Sequence, residues 1–477
     1  MSADSIAAAA SAAGRGEGAL AIVLHTHMPY VEGFGTWPFG EEWLWEAMVG
    51  SYLPLLEVLD QGAPLTLSLT PVLCDQLEAP GAMERFYEFV RNVRRWTHAE
   101  DAAGLRAGGE DRLALELERA WDEYERALAS LDKRGGNMLS AFSKHAQWTS
   151  SATHAVLPLL ASDACTTLQL ASGIASHRRR FGEGWRGGFW LPECAYEPWL
   201  GPLLESAGVA AVCVELTARY GLGAPEHLHP VETEAGVVLV PIDRETIARV
   251  WSPEGYPSAG VYRDYHHHTI HHHKPWSNDG SPYDHARACA LAAEHAADFV
   301  AHAKARLAHG GLAVCALDTE LLGHWWYEGV HWLGEVVREC ERQGVRLVRL
   351  DDALAEIEPV KAPADYSGWP ASSWGEGGDL STWSAPNVAE LTFAARAAEL
   401  ELLADRHAAG VAATRELLAL QASDWAFMIS RELAGPYPRA RFDGHLAAFA
   451  AARADRAGAQ PPRNLAVDAD LGALLSA

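Results

Sequence analysis

The sequence predicts an α/β protein built on a seven-stranded (β/α)7 barrel, with a helical insertion and a helical C-terminal region. Three observations predict it. Seven short apolar runs recur along the chain, helical patterns separate most of them, and polar residues gather just after the runs.

The runs are LAIVLH (20–25), LTLSLT (65–70), GGFWLPE (187–193), VAAVCVE (209–215), VVLVPI (237–242), LAVCALD (312–318) and VRLVRL (345–350). They are nearly continuous rather than alternating, as parallel strands covered on both faces must be. Amphipathic patterns at 285–307 and 330–343 predict crossover helices. His25, His27, Thr70, Glu193, Glu215, Asp243, Asp318 and Glu320 all fall at or just past strand C-terminal ends, the rim where barrels place their active sites.

Residues 82–144 interrupt this alternation with charge-rich helical stretches around Gly108–Gly109, and predict an insertion between barrel segments 19–81 and 145–358. From about 388 onward the chain turns rich in Ala, Leu, Glu and Arg, and 359–477 is expected to form a helical C-terminal domain. Residues 1–18, rich in Ala, Ser and Gly with an acidic Asp4, read as a frayed tail and not as a secretory leader.

The 477 residues carry a net charge of −25, from 63 acidic and 38 basic side chains. That field repels phosphate backbones, so nucleic acid is not an expected partner, while neutral sugars are not repelled. No apolar run reaches the roughly 18 residues of a membrane span. Seven scattered cysteines without metal-type pairing predict free thiols in a reducing cytoplasm. Tryptophan is abundant, at 18 residues against 13 Tyr and 12 Phe, and many lie beside Gly, Pro or charges, as in clefts that stack on sugar rings.

Glu193, in GFWLPECAYEPWL, and Asp318, in ALDTELLGHWW, place two carboxylates on one rim. Glycosidic bond cleavage needs such a pair, one to attack the anomeric carbon and one to protonate the leaving oxygen, about 5–5.5 Å apart where configuration is retained. Either acid could instead pair with a buried arginine. His25 and His27 could chelate a metal or hydrogen-bond to sugar and carboxylate.

The chain resembles glycoside hydrolase family 57 and, within it, the 1,4-α-glucan branching enzymes. LHTHMPYVEGFGTWPFGEEWLWEA (24–47), SATHAVLPLL (151–160), SHRRRFGEGWRGGFWLPECAY (176–196), VWSPEGYP (250–257), ALDTELLGHWWYEG (316–329), SSWGEGG (372–378) and LQASDWAFMI (420–429) carry the resemblance in family order. It implies a distorted barrel, a retaining mechanism, and no metal or organic cofactor. It implies Glu193 as nucleophile and Asp318 as general acid/base.

The resemblance further implies that His27 lines the donor side, with His25 either touching sugar or serving the structure, that Trp374 and Trp383 wall the glucan cleft, and that Asp424 reaches the site from the C-terminal domain. Trp37, Trp190, Trp276 and Trp325 are further aromatic candidates, and His324 is a candidate substrate contact. An acidic–basic pair, Asp243 and Arg244, is expected to support the nucleophile, and Glu320 to support Asp318. Segment 217–236 is the expected lid, with Tyr220 closing over the site so that transfer outruns hydrolysis.

HHHTIHHH (266–273) departs from the family pattern and reads as a short exposed loop near the cleft, since a polyhistidine loop does not specify a rigid metal site. The expected activity is α-1,4 cleavage with α-1,6 branch formation on a glycogen- or amylose-like glucan, by a cytoplasmic monomer. The competing expectations are an α-amylase-type hydrolase on the same scaffold, a metal-dependent polysaccharide deacetylase, and a non-catalytic glucan-binding protein.

Overall fold

The computed structural model describes residues 18–33, 35, 40–408, 410–454 and 463–476. The expected tail, apart from Gly18, and Trp37 lie outside the described residues.

The strands are β1 (Ala19–Thr26), β2 (Thr66–Leu69), β3 (Ala146–Ser150), β4 (Gly188–Trp190), β5 (Ala211–Val214), β6 (Val231–Glu232), β7 (Val238–Pro241), β8 (Leu312–Asp318), β9 (Arg346–Leu347) and β10 (Val360–Lys361). Seven of them, β8–β1–β2–β3–β4–β5–β7, lie side by side and all run parallel. The sheet curls until Asp243, just past β7, donates its N–H to the Val314 carbonyl of β8 at 2.8 Å. That bond bridges the seam, and the result is an incompletely closed seven-stranded barrel. β6, β10 and β9 are short additions at its margins.

All seven expected runs contain strands, but run 345–350 yields only β9, because Leu350 already opens the helix Leu350–Glu356. β9 flanks β1 from outside the ring, and β3 takes the seventh place. Its AQWTS sequence is too polar to read as a buried strand, yet Ser150 spends its hydroxyl on the Trp190 carbonyl at 2.9 Å, which removes the cost of burial. The helices His285–Arg306 and Gly329–Gln343 appear where their periodicity puts them, packed on each other outside the barrel.

The insertion is helical over Ala82–Glu88, Arg95–Ala107, Asp111–Lys133 and Met138–Phe142. A buried polar knot binds it to the barrel. Arg263 donates to Glu116 and lies 3.5 Å from the Tyr327 ring centroid, while Arg119 donates to the Tyr327 hydroxyl at 2.7 Å. At the C-terminal end, helices Ala389–Ala404, Val411–Leu420, Ser423–Ser430 and Tyr437–Ala454 pack together. Tyr437 donates to the Tyr30 carbonyl at 2.9 Å, and Ser423 donates its N–H to the His154 carbonyl at 3.1 Å. These contacts bring the start of the helix Ser423–Ser430 to the barrel mouth. Among the described residues, no helix is long and apolar enough to cross a membrane.

Candidate functional site

A cleft of about 930 Å³ opens at the C-terminal ends of the strands, where the barrel, the insertion and the C-terminal helices meet. Glu193 and Asp318 both line it. Asp318 ends β8, and parallel pairing sets it level with His25 on β1. Glu193 sits in the tight turn after β4 with φ 63°, and Cys194 follows at φ 49°. Two consecutive non-glycine residues in the left-handed region are costly, and such strain collects where a side chain must be aimed.

The Glu193 carboxylate is held by two donors. The Trp374 indole N–H reaches Oε2 at 2.9 Å, and the Ser423 hydroxyl reaches Oε1 at 2.9 Å. Trp374 also donates its backbone N–H to the Glu193 carbonyl, so loop and turn are locked together. Burial pushes the Glu193 carboxyl above its ordinary range, and these two donors oppose the rise. Burial, followed by the nearby Glu320 and Glu193 charges, holds Asp318 well above the usual carboxylate range, which favours its protonated form.

Three histidines surround this pair. His27 lies face to face with His154, with ring centroids 4.0 Å apart at 19°, and His25 stacks on Trp190 at 4.5 Å. Nε2 of His27 meets Asp424 Oδ1 at 2.8 Å, and its Nδ1 meets Thr70 Oγ1 at 3.2 Å. Burial alone would lower His27, but Asp424, then Glu320 and Glu193, raise it above the ordinary imidazole value. His25 and His154 lie well below that value, chiefly through burial, and are neutral. Glu320 accepts from the His27 backbone N–H at 3.1 Å and from Tyr52 at 2.6 Å, and burial brings it to about 7.

His27, His154 and Asp424 offer ligand atoms within 4.8 Å of one another. The stacked rings aim their in-plane lone pairs past each other, and both His154 nitrogens are engaged, with His25 at 2.9 Å and Ser423 at 2.8 Å. This set fits a hydrogen-bond network better than a metal.

The other expected site residues divide. Asp424, Arg244, His324, Trp325 and Trp374 line the cleft, as do His25 and His27. Trp325 is 49% exposed and tilts against Tyr265 at 4.5 Å. Arg244 pairs with Glu215 at 3.0 Å and not with Asp243, which is bound by Arg306 at 3.2 Å.

Trp190 has no exposed surface and forms the floor beneath His25 instead of a sugar platform. Trp383 belongs to the lining but is only 2% exposed, and Gly375 packs so closely on it that a Cβ would come within 2.8 Å of the ring. Trp276 stacks on His267 at 3.9 Å, away from the lining. Tyr220 also lies off the cleft, edge-on to His227 and Trp369 and packed on the second core cluster.

His266, His267, His268 and Ile270 are exposed, as expected of the histidine stretch, but its other residues are held. Thr269 and His271 bind Asp101 of the insertion, and His273 is buried against His98 at 3.8 Å and Thr97 at 3.2 Å. His266, His268, His272 and His273 line the cleft wall, so the loop seals insertion to barrel.

His154, Ser423, Trp251, Tyr265 and Lys274 were not singled out from the sequence. His154 and Ser423 do lie in the motifs SATHAVLPLL and LQASDWAFMI. Trp251 is 49% exposed beside Trp374, and Lys274 sets its ammonium 3.5 Å over the Tyr265 ring.

Two carboxylates at the mouth of a parallel barrel, in a cleft walled by exposed indoles, fit a carbohydrate-active enzyme that cleaves or transfers glycosidic bonds. Residues 139–364 match glycosyl hydrolase family 57, and residues 389–467 match the 1,4-alpha-glucan branching enzyme C-terminal family. A Mycobacterium tuberculosis protein named a probable 1,4-alpha-glucan branching enzyme is 33% identical, over 91% of both chains. A 1,4-alpha-glucan branching enzyme of Thermococcus kodakarensis is 31% identical, over 89% of this chain and 72% of that one. The crystal structure of a GH57-type branching enzyme from Pyrococcus horikoshii superposes with a TM-score of 0.83 at 30% identity, over 91% of this chain and 89% of that one. The chain belongs to glycosyl hydrolase family 57.

Proposed function

We propose that this chain is a 1,4-α-glucan branching enzyme working by double displacement, with Glu193 as nucleophile and Asp318 as acid/base. The observation that carries the assignment is their unlike environments within one cleft. Glu193 receives two hydrogen bonds that favour its charged form, while Asp318 has burial and neighbouring acids that keep its proton.

Glu193 attacks C1 of the donor glucan as Asp318 protonates the departing glycosidic oxygen, leaving a glucosyl ester on Glu193. Asp318, now ionised, takes the proton from a 6-hydroxyl of an acceptor chain, whose oxygen displaces Glu193 and forms the α-1,6 branch. The His27 imidazolium, held by Asp424, lies close enough to lower the carboxyl pKa of both Glu193 and Asp318, and favours their charged forms in turn. Trp251 and Trp325, each half exposed on the cleft wall, offer faces for glucan rings. The free state of all seven cysteines supports a reducing cytoplasmic setting.

The test is incubation with amylose, with and without EDTA, counting reducing ends before and after isoamylase. New ends that appear only after debranching, unchanged by EDTA, are expected. Ends that rise directly would make the protein a hydrolase on this scaffold, and activity lost to EDTA would overturn the metal-free reading.

A further inference from the structure

The nucleophile is tied to a buried chain of neutral donors whose direction follows from counting protons. Ser423 Oγ lies 2.9 Å from Glu193 Oε1 and 2.8 Å from His154 Nδ1, and His154 Nε2 lies 2.9 Å from His25 Nε2. His154 Nδ1 is 3.7 Å from Glu193 Oε1, too far for a direct bond, so Ser423 is the link. His25 Nδ1, the far end, is buried and has no hydrogen-bond partner among the described residues.

A serine hydroxyl has one proton. If it goes to an ionised Glu193, then His154 must donate from Nδ1 to Ser423 and, being neutral, accepts at Nε2. His25 must then donate from Nε2, which leaves Nδ1 as a bare lone pair. The reverse direction needs a protonated Glu193 and puts an N–H on His25 Nδ1, where no described residue accepts it. An orphaned buried donor is rarer in proteins than an under-used acceptor. The dead end at His25 therefore sets the direction of the chain.

We infer that Ser423, His154 and His25 form a one-way hydrogen-bond chain that positions Glu193 and keeps it ionised for attack, with the C-terminal helix Ser423–Ser430 supplying the final donor. The inference rests on Glu193 being the nucleophile. Its backbone supports it. His154 is held at φ 59°, its carbonyl accepts the Ser423 N–H, and Ala155 bridges to Ala422, so the two elements are fixed against each other. The other groups facing Glu193 are Trp374, His27, Asp424 and Asp318. Trp374 serves the opposite oxygen and cannot replace Ser423 at Oε1. The chain also makes catalysis depend on docking of the C-terminal helices, because without them Oε1 loses its donor.

The experiment compares Ser423→Ala, Ser423→Thr and Glu193→Gln in the full-length enzyme, reading kcat, KM and the pH dependence of kcat/KM on amylose. A hydrogen bond to the charged form lowers a carboxyl pKa, so its removal raises the acid limb. Ser423→Ala is expected to lose about 10–100-fold in kcat with little change in KM, and to move the acid limb up by about one pH unit. Ser423→Thr is expected to restore both, and Glu193→Gln to be inactive. Where Ser423→Ala does not fold, the acid limb of Ser423→Cys, with its weaker donor, is read instead and is expected to move up. An inactive Glu193→Gln with an unmoved acid limb in the Ser423 variants would overturn the chain but not the nucleophile. An active Glu193→Gln would overturn the nucleophile itself.

Discussion

Replacing Asp424 by Asn keeps the shape of the His27 partner and removes its charge. The two side chains are 12% and 10% exposed and meet at 2.8 Å, so solvent screens the pair little. A hydrogen bond to a charged group is worth about 1.5–3 kcal/mol, and the amide keeps part of it, so the loss is about 1–2 kcal/mol. Burial then acts on His27 with less opposition, and its pKa falls. The Asp424 charge raises the carboxyl pKa of Glu193 and of Asp318 while the His27 imidazolium lowers both, so in Asp424→Asn the two losses oppose each other at each carboxyl. Stability has its own signature. Because the folded His27 pKa is raised, the pair's contribution is fully present below the ordinary imidazole value and is lost as pH rises through the raised value. Thermal melts of both proteins from pH 5.5 to 8.5 are expected to show a Tm gap of about 1–3 °C at the acidic end that closes toward the alkaline end. A gap that is flat, or that widens with pH, would refute the charged-pair reasoning.

Three other perturbations have definite outcomes. Trp374→Phe removes the N–H that reaches Glu193 Oε2 but keeps an aromatic wall, so kcat should fall about 10–100-fold with KM nearly unchanged; a change confined to KM would make Trp374 only a sugar platform. Tyr220→Ala should leave the ratio of branching to hydrolysis unchanged, because the ring packs on Trp369 and His227 and not over the cleft; a rise in free reducing ends would return it to the lid. Arg263→Met breaks the buried knot between insertion and barrel and leaves Tyr327 and Glu116 short of a partner, at a cost of about 3–5 kcal/mol; an unchanged melting temperature would show that the knot adds nothing.

Much of this organisation was legible in the chain because burial on both faces leaves a plain mark. β1 and β8 are apolar throughout, and a carboxylate or histidine at the end of such a run can only face the barrel mouth. β3 was not legible, because its polar side chains are satisfied by partners distant in sequence, such as the Trp190 carbonyl for Ser150 and Gln147 for the Leu67 N–H. Ser423 and His154 illustrate the same limit. They are separated by 269 residues, and only the docked C-terminal helices make one the donor relay of the other. Tryptophans were the least readable. Sugar platform and buried floor have the same composition, and only exposure separates Trp251 and Trp325 from Trp190 and Trp383.

The central claim is that Glu193 forms a covalent glucosyl ester while Asp318 moves the proton. Incubation with a 2-fluoro-substituted α-maltosyl fluoride, followed by peptic digestion and mass spectrometry, tests it directly, since the 2-fluoro group slows both formation and breakdown of the ester while the fluoride leaving group speeds formation alone, so the ester accumulates. One added glycosyl unit is expected on the peptide containing Glu193, and none in Glu193→Gln. A label on any other carboxylate, Asp318 or Asp424 included, would contradict it.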